Sequence, residues 1–490
     1  MPGRFANAIH PGWRILRWLL LAAFVLAALV VLGSAFSARS HPDLGSWHRW
    51  ELAGELKARQ LADMDWQQLE RAEQVLFDQL QAHLQADPTP GAFRYQANTR
   101  LGAPAGSIDW NRSYASTPAG PVRGGVLLLH GLSDSPYSLR DLAAKYEARG
   151  FVVVMPRLPG HGTAPSSLRD TQWQDWLAVA ELGAREVRAR TGPGKPFHIA
   201  GYSNGGALAL KYAMDRVEPG DDGSLPVPDR LVLVSPMIGI GRLAALARLM
   251  PVLGFIPYFE KSRWLEVQPE FNPFKYNSFP VNAVRQSWLI TGVVQAQLLR
   301  LDAIGRSEQL PPILAFQSVL DSTVSTPAVV RSLFDKLPDN GSELVLFDIN
   351  RQGLLAPMFT RGANTLLDNL QPAPRQNYRM TVITNVNETS SEVAEYRHDP
   401  GAAPVMRPLG LDYPPTVYSL SHVALPFPLD DPLYGLQPRL DEDYGIRLGT
   451  LALHGERGAL SVAAGQLLRI SSNPFYPYLV ARIEETLPPL

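Results

Sequence analysis

The chain contains no cysteine among its 490 residues. That absence excludes disulfide bonds, a thiol nucleophile, thiolate-ligated metals and an acylated lipoprotein cysteine, while leaving the redox compartment open. An excess of charge is also missing: 45 Lys and Arg against 46 Asp and Glu give a formal net charge of −1, with no long basic run. A surface that neutralises nucleic-acid phosphates needs a clustered positive excess, so no nucleic-acid partner is expected. Phosphate-cradling glycine loops and convincing metal-ligand clusters are absent too, so no cofactor, nucleotide or metal is expected. What is present is a hydrophobic content of 46% over a length that exceeds one average domain, enough to bury a large core.

Trp18 to Phe36 is uncharged and almost wholly apolar, with Arg4, Arg14 and Arg17 ahead of it. A stretch of that length suits one membrane-crossing helix. A cleaved signal peptide is the alternative, with Ala35-Phe36-Ser37 as its cleavage site, although the apolar core of a signal is shorter, roughly 7–15 residues. Either way the arginines hold the N-terminal side in the cytoplasm and send the rest across, into the periplasm in a bacterial host. The expected organisation is an anchor or signal over 1–40, a helical and irregular extension over 41–120, and the main domain over 121–490. Within the extension, residues 46–86 read as helix from apolar positions such as Trp50, Leu56, Leu61, Leu69, Leu76 and Leu80, ended by Asp87-Pro88. Strand-like pieces follow at Phe93–Tyr95 and Ile108–Trp110.

From Gly125 the pattern becomes strand, turn, helix, repeated. Apolar runs at Val126–Leu129, Phe151–Met155, Phe197–Ala200, Leu231–Val234, Ile313–Gln317 and Leu344–Phe347 alternate with helical stretches near 138–149, 171–190 and 328–337. Continuous β-branched and leucine runs of this kind predict an α/β fold, a mostly parallel sheet covered by helices on both faces. Ligands in such sheets bind beyond the C-terminal strand ends. Two insertions stand out. Residues 237–310, rich in Met237, Ile238, Leu249, Phe255, Ile256, Trp264 and Phe271, have the length of a cap over the site or of an extra structural subdomain. Residues 350–416 contain strand-like pieces at Met380–Val386 and Val393–Tyr396, and their function is not readable.

The chemistry centres on Gly201-Tyr202-Ser203-Asn204-Gly205, set between the apolar run ending at Ala200 and a helical pattern from Ala207. Gly-x-Ser-x-Gly in that context is a nucleophile elbow, in which a strained turn exposes the serine and the glycines leave room for it. A serine nucleophile needs a base, a group that orients the base, and N–H donors for the developing oxyanion. The donors are expected from the backbone of Asn204 and of Leu132, the latter in His130-Gly131-Leu132-Ser133-Asp134-Ser135-Pro136. His130 and His161 read as devices that shape their loops. Asp321, just past the Ile313 run, is the expected acid, with Asp302, Asp339 and Asp348 as competitors. His422, in an apolar loop, is the expected base, against His398 and His454 in polar turns. The catalytic set is then Ser203, Asp321 and His422.

These stretches, His130 to Pro136, Pro159-Gly160-His161-Gly162 and Gly201 to Gly206, resemble the α/β-hydrolase superfamily, in particular its carboxylesterase, monoacylglycerol lipase and serine aminopeptidase-like branch. The resemblance covers roughly Gly124 to Val345, the neighbourhood of His422 and the last helix. It implies the same roles for Ser203, Asp321, His422, Leu132 and Asn204. One departure is the long gap between Asp321 and His422, which members usually bridge with a few dozen residues. The function this implies is a membrane-tethered serine hydrolase of carboxylic esters, acting on a small-molecule or lipid ester through an acyl-enzyme. Peptidase, thioesterase and acyltransferase chemistry use the same constellation, and a catalytically silent envelope binding protein could keep the fold.

Overall fold

The computed structural model describes residues 11–87, 93–95, 108–239, 257–321, 323–353, 370, 377–414, 417, 419–449 and 472–489. Leu249, Phe255 and Ile256 of the expected cap, residues 354–369 of the second insertion and His454 lie outside these.

A ten-stranded sheet organises the chain, in the order β1-β3-β2-β4-β5-β8-β9-β10-β11-β12. Its centre is parallel: β3 (Phe151–Met155), β2 (Gly124–Leu129), β4 (Phe197–Tyr202), β5 (Arg230–Val234), β8 (Ile313–Ser318), β9 (Glu343–Phe347) and β10 (Arg379–Asn385). Successive side chains of a strand point to opposite faces, and here both faces are covered. Val126 and Leu128 of β2 enter one core with Tyr146 and Leu479, while Leu127 and Leu129 enter the other with Trp176 and Leu208. That is why the strands read as unbroken apolar runs. Helices α4 (Arg140–Ala148) and α8 (Tyr476–Glu484) cover the first face, and α5 (Trp173–Thr191) and α6 (Asn204–Arg216) the second.

The sheet continues past β9, and the strand-like pieces expected at Met380–Val386 and Val393–Tyr396 are strands of it; the third added strand was not expected. The second insertion supplies β10, then β11 (Glu392–His398) and β12 (Val405–Asp412) as antiparallel additions at one edge. β12 is mostly exposed and carries Arg407, Pro408 and Gly410, features that blunt an edge against pairing with another chain. At the opposite edge, β1 (Tyr114–Ser116) runs antiparallel to β3.

The extension differs from the single helix expected over 46–86. It breaks into a short turn at Ser46–His48, α2 (Ala58–Ala62) and α3 (Trp66–Ala86). The break before α3 has a local cause. Asp65 accepts the Gln68 N–H at 2.7 Å and Gln68 returns a bond to the Asp65 N–H at 2.8 Å, a reciprocal cap that starts a new helix. Phe93–Tyr95 forms one 3-10 turn in place of a strand, and Ile108–Trp110 is irregular. Ahead of the extension, α1 covers Pro11–Ser40. Among the described residues no helix is long and apolar enough to cross a membrane, so the expected N-terminal transmembrane helix is not found there. Within α1 the described side chains of Trp18, Leu19, Phe24, Leu32 and Phe36 are exposed.

The described residues of 237–310 lie at the C-terminal strand ends, where several of them line a cavity with Ser203. They hold a turn at Pro257–Arg263, the ribbon β6 (Trp264–Glu266) with β7 (Phe279–Pro280), and α7 (Val281–Ala303).

Candidate active site

Ser203 is the single residue between β4 and α6, at φ 54° and ψ −114°. A non-glycine residue at positive φ costs about 1–3 kcal/mol and persists only where the surroundings over-determine it. Here the backbone does so. The Ser203 N–H donates to the Val234 carbonyl at 2.9 Å, and its own carbonyl accepts from Gly206 and Met237, each at 3.0 Å. A Cβ on Gly205 would run into the Leu129 carbonyl, and one on Gly201 into the backbone of Gly205, so neither position admits a side chain.

His422 begins a 3-10 turn, His422–Ala424. Its Nδ1 lies 2.8 Å from Asp321 Oδ2, which assigns that nitrogen as the donor. Burial works to raise the Asp321 pKa, but the His422 imidazole and the N–H groups of Val324 and Thr323 outweigh it, holding the carboxyl below its ordinary value. Both N–H contacts measure 2.8 Å on Oδ1. The loop before the histidine is tied to the end of β8 by the Ser318 hydroxyl on the Leu420 carbonyl at 2.8 Å. Of the competing aspartates, Asp348 is held by Arg351 at 2.7 and 2.9 Å, and Asp302 accepts from Ser307. His398 ends β11.

Ser203 and His422 line one cavity of about 360 Å³ together with Leu132. Asn204 begins α6, and the first N–H groups of a helix have no intrahelical acceptor and sit at its positive end. The Asn204 side chain accepts the Ser287 hydroxyl of α7 at 2.9 Å, fastening the cap to the elbow.

Two buried histidines hold the peptide units on either side of Leu132. His130 Nδ1 donates to the Gly131 carbonyl at 2.9 Å, and the Asp134 N–H reaches that carbonyl at 3.2 Å. The Leu132 N–H belongs to the same planar peptide and so points the opposite way. His130 Nε2 accepts the Leu158 N–H at 3.0 Å, a bond only the neutral ring makes. Burial first, then the neighbouring His161, keeps the His130 pKa far below its ordinary value. His161 Nε2 contacts the Leu132 carbonyl at 2.5 Å. Both histidines therefore shape the loop, as their motifs suggest.

Much of the remaining lining comes from the cap: the apolar Met237, Phe271, Phe279 and Val284, and the polar Glu266, Gln268, Lys275 and Asn277. Lys275 pairs with Asp134 at 3.4 Å. Sequence reasoning did not single out these polar residues. They lie among the prolines and aromatics of 266–279, in no motif that marks a site.

The model of an alpha/beta hydrolase family matches residues 126–347. The thermostable monoacylglycerol lipase of Bacillus sp. (strain H-257) is 29% identical over 227 residues, covering 46% of this chain and 80% of that protein. The magnesium-chelatase 30 kDa subunit of Rhodobacter capsulatus is 33% identical over 158 residues, covering 30% of this chain and only 50% of that protein. Among solved structures, a metagenome-derived lipolytic enzyme is similar at 23% identity and a TM-score of 0.39, covering 49% of this chain and 88% of its own.

Proposed function

With residues 126–347 placed in the α/β-hydrolase superfamily, on its esterase and monoacylglycerol lipase side, we propose that the chain is a serine hydrolase of carboxylic esters that works through an acyl-enzyme. The observation that carries this is the positive-φ serine sharing one cavity with an imidazole whose far nitrogen is bonded to a buried carboxylate.

In the proposed reaction His422 Nε2 takes the Ser203 proton as Oγ attacks the ester carbonyl carbon. Asp321 keeps the proton of the neutral ring on Nδ1, leaving Nε2 free to accept, and then stabilises the imidazolium. The Leu132 and Asn204 N–H groups receive the oxyanion. The imidazolium protonates the departing alcohol, the ester C–O bond breaks, and water, activated by the same ring, releases the acid and restores Ser203. The apolar lining residues suit an acyl chain, and the polar ones an alcohol with hydroxyl groups, which makes a monoacylglycerol-like ester the substrate class. Ser203→Ala should lower turnover of short p-nitrophenyl esters by about 10⁴-fold or more, with circular dichroism and Tm unchanged. Retained turnover, or a folded wild-type chain that a fluorophosphonate fails to label, would remove the serine from the mechanism.

We also infer that α1 tethers the chain to a membrane, with the hydrolase outside the cytoplasm and periplasmic in a bacterium. Supporting this are the uncharged run from Trp18 to Phe36 and the apolar side chains α1 exposes, a patch of the kind that marks a membrane or protein contact. The chain leaving α1 is moored to the cap by Lys261 on Asp43 at 2.8 Å and by Arg49 on Glu260 at 3.0 Å, which would keep the cavity near the lipid surface. Recovery of the expressed chain in the carbonate-washed membrane fraction tests this; recovery in the soluble fraction refutes it.

A further inference from the structure

The extension ahead of the hydrolase domain does more than pack beside it. Arg157, in the loop that follows β3, is buried with its guanidinium between two carboxylates of the extension. Glu55 takes Nη1 at 3.2 Å and Glu73 takes Nε at 3.1 Å. The same guanidinium donates to the His161 carbonyl at 2.9 Å, and Glu55 also accepts the Gly160 N–H at 2.8 Å. One carboxylate from outside the hydrolase domain thus satisfies a buried cation and a backbone donor in one loop. Burial alone would weaken the Arg157 charge, but Glu55 and Glu73 more than offset it.

That loop supplies both supports of Leu132. The Leu158 N–H fixes His130, which fixes the Gly131 carbonyl, and His161 fixes the Leu132 carbonyl. A second contact reaches the same place from the cap side. Arg94 of the extension donates to the Gly162 carbonyl at 3.1 Å and to the Asn272 carbonyl at 3.0 Å, and lies over the Tyr276 ring. Tyr276 in turn donates its N–H to the Ser133 carbonyl at 2.8 Å.

We propose that the extension is a working part of the active site and that Glu55 is a positioning residue for the oxyanion loop, acting through residues 157–161 and the two histidines. This rests on the hydrolase reading. Without the Glu55 carboxylate, Gly160 N–H and Arg157 lose acceptors in a buried place, and the loop must shift to regain them. Leu158 and His161 would move with it, carrying the Leu132 N–H off the position of the oxyanion, where small misplacements cost rate more than affinity for substrate.

The test uses the full chain, with active sites counted by fluorophosphonate titration. Glu55→Ala should lower kcat per titrated site about 10- to 100-fold while KM stays within about 2-fold. Binding of a phenylboronic acid, whose tetrahedral anion needs the same donors, should weaken in parallel. Glu55→Gln, which keeps an acceptor for Gly160 and perturbs folding less, should recover part of both. If either variant loses Tm but keeps kcat per titrated site and boronate affinity within about 2-fold of wild type, Glu55 is merely structural and the proposal fails. A wild-type chain that cannot be titrated would sink the hydrolase reading instead, so the two failures are distinguishable.

Discussion

The two halves of the candidate site are built by different means. Ser203 is placed by main chain alone: a positive φ, three backbone hydrogen bonds and two glycines with no room for a Cβ. His422 is placed by side chains: the Asp321 carboxylate on its ring, the Tyr202 hydroxyl on its carbonyl at 3.4 Å, and the Ser318 hydroxyl on the Leu420 carbonyl two residues upstream. The motif of the first half, Gly201 to Gly205, is contiguous in sequence, whereas the second half joins positions 101 residues apart. A backbone-built half should fail by losing its fold, and a side-chain-built half by losing its chemistry.

The largest effect expected is on the histidine side. His422→Ala should cut kcat by about 10⁴-fold or more on p-nitrophenyl butyrate, with near-native Tm. A comparable fall in Tm would show that this half also holds the fold. Asp321→Asn, which keeps shape but favours the wrong tautomer, should cost about 10³- to 10⁴-fold in kcat, with circular dichroism unchanged. On the serine side, Gly205→Ala should lower activity and thermal stability together, by about 3 kcal/mol or more, because the new methyl must displace the Leu129 carbonyl. Denaturant titration that finds stability intact would contradict the backbone-built picture.

The smallest effect concerns acid. Burial lowers the His198 pKa to about 3, with Arg230 adding to it, and burial lowers that of His48 to about 4. Both rings are neutral when folded, while the unfolded chain titrates near 6.5. Between pH 6.5 and about 4 the unfolded state therefore binds more protons. The stability these groups contribute is complete above 6.5 and is lost as pH falls through that window, by up to about 3 kcal/mol for each. His198 lies in β4 beneath the serine, and His198→Gln should flatten the dependence of Tm on pH relative to wild type. An unchanged slope would mean that His198 protonates freely in the native state.

The serine half was legible in the sequence because its determinants are local. Gly-x-Ser-x-Gly, the His130-Gly131 pair and the apolar runs each state their own structure, and Phe151–Met155 is a strand with the expected boundaries. The final helix and the elbow helix were legible for the same reason. Asp321 and His422 were readable only as residues at plausible strand and loop ends; what joins them is a tertiary contact with no spacing rule. β12 escaped because Pro408 and Gly410 weaken its pattern and its exposure removes the apolar alternation. The extension misled for another reason. Its helical period was present, but the Asp65 cap divided it, and the placement of Glu55 and Arg94 against the 157–162 loop leaves no mark in the local sequence.

The three added strands lie inside the long connection between the carboxylate and the imidazole. Stretching that connection from a few dozen residues to 101 adds only about 1 kcal/mol to the cost of closing it, since the penalty grows with the logarithm of length. The pairing of β10 with β9 anchors the detour to the sheet before the chain returns to the cavity. The length of the joint is thus tolerated, because the ring takes its seat from Asp321, Tyr202 and Ser318. The turn at Gly401, between β11 and β12, is accordingly the natural place to graft a foreign domain without disturbing the reacting atoms.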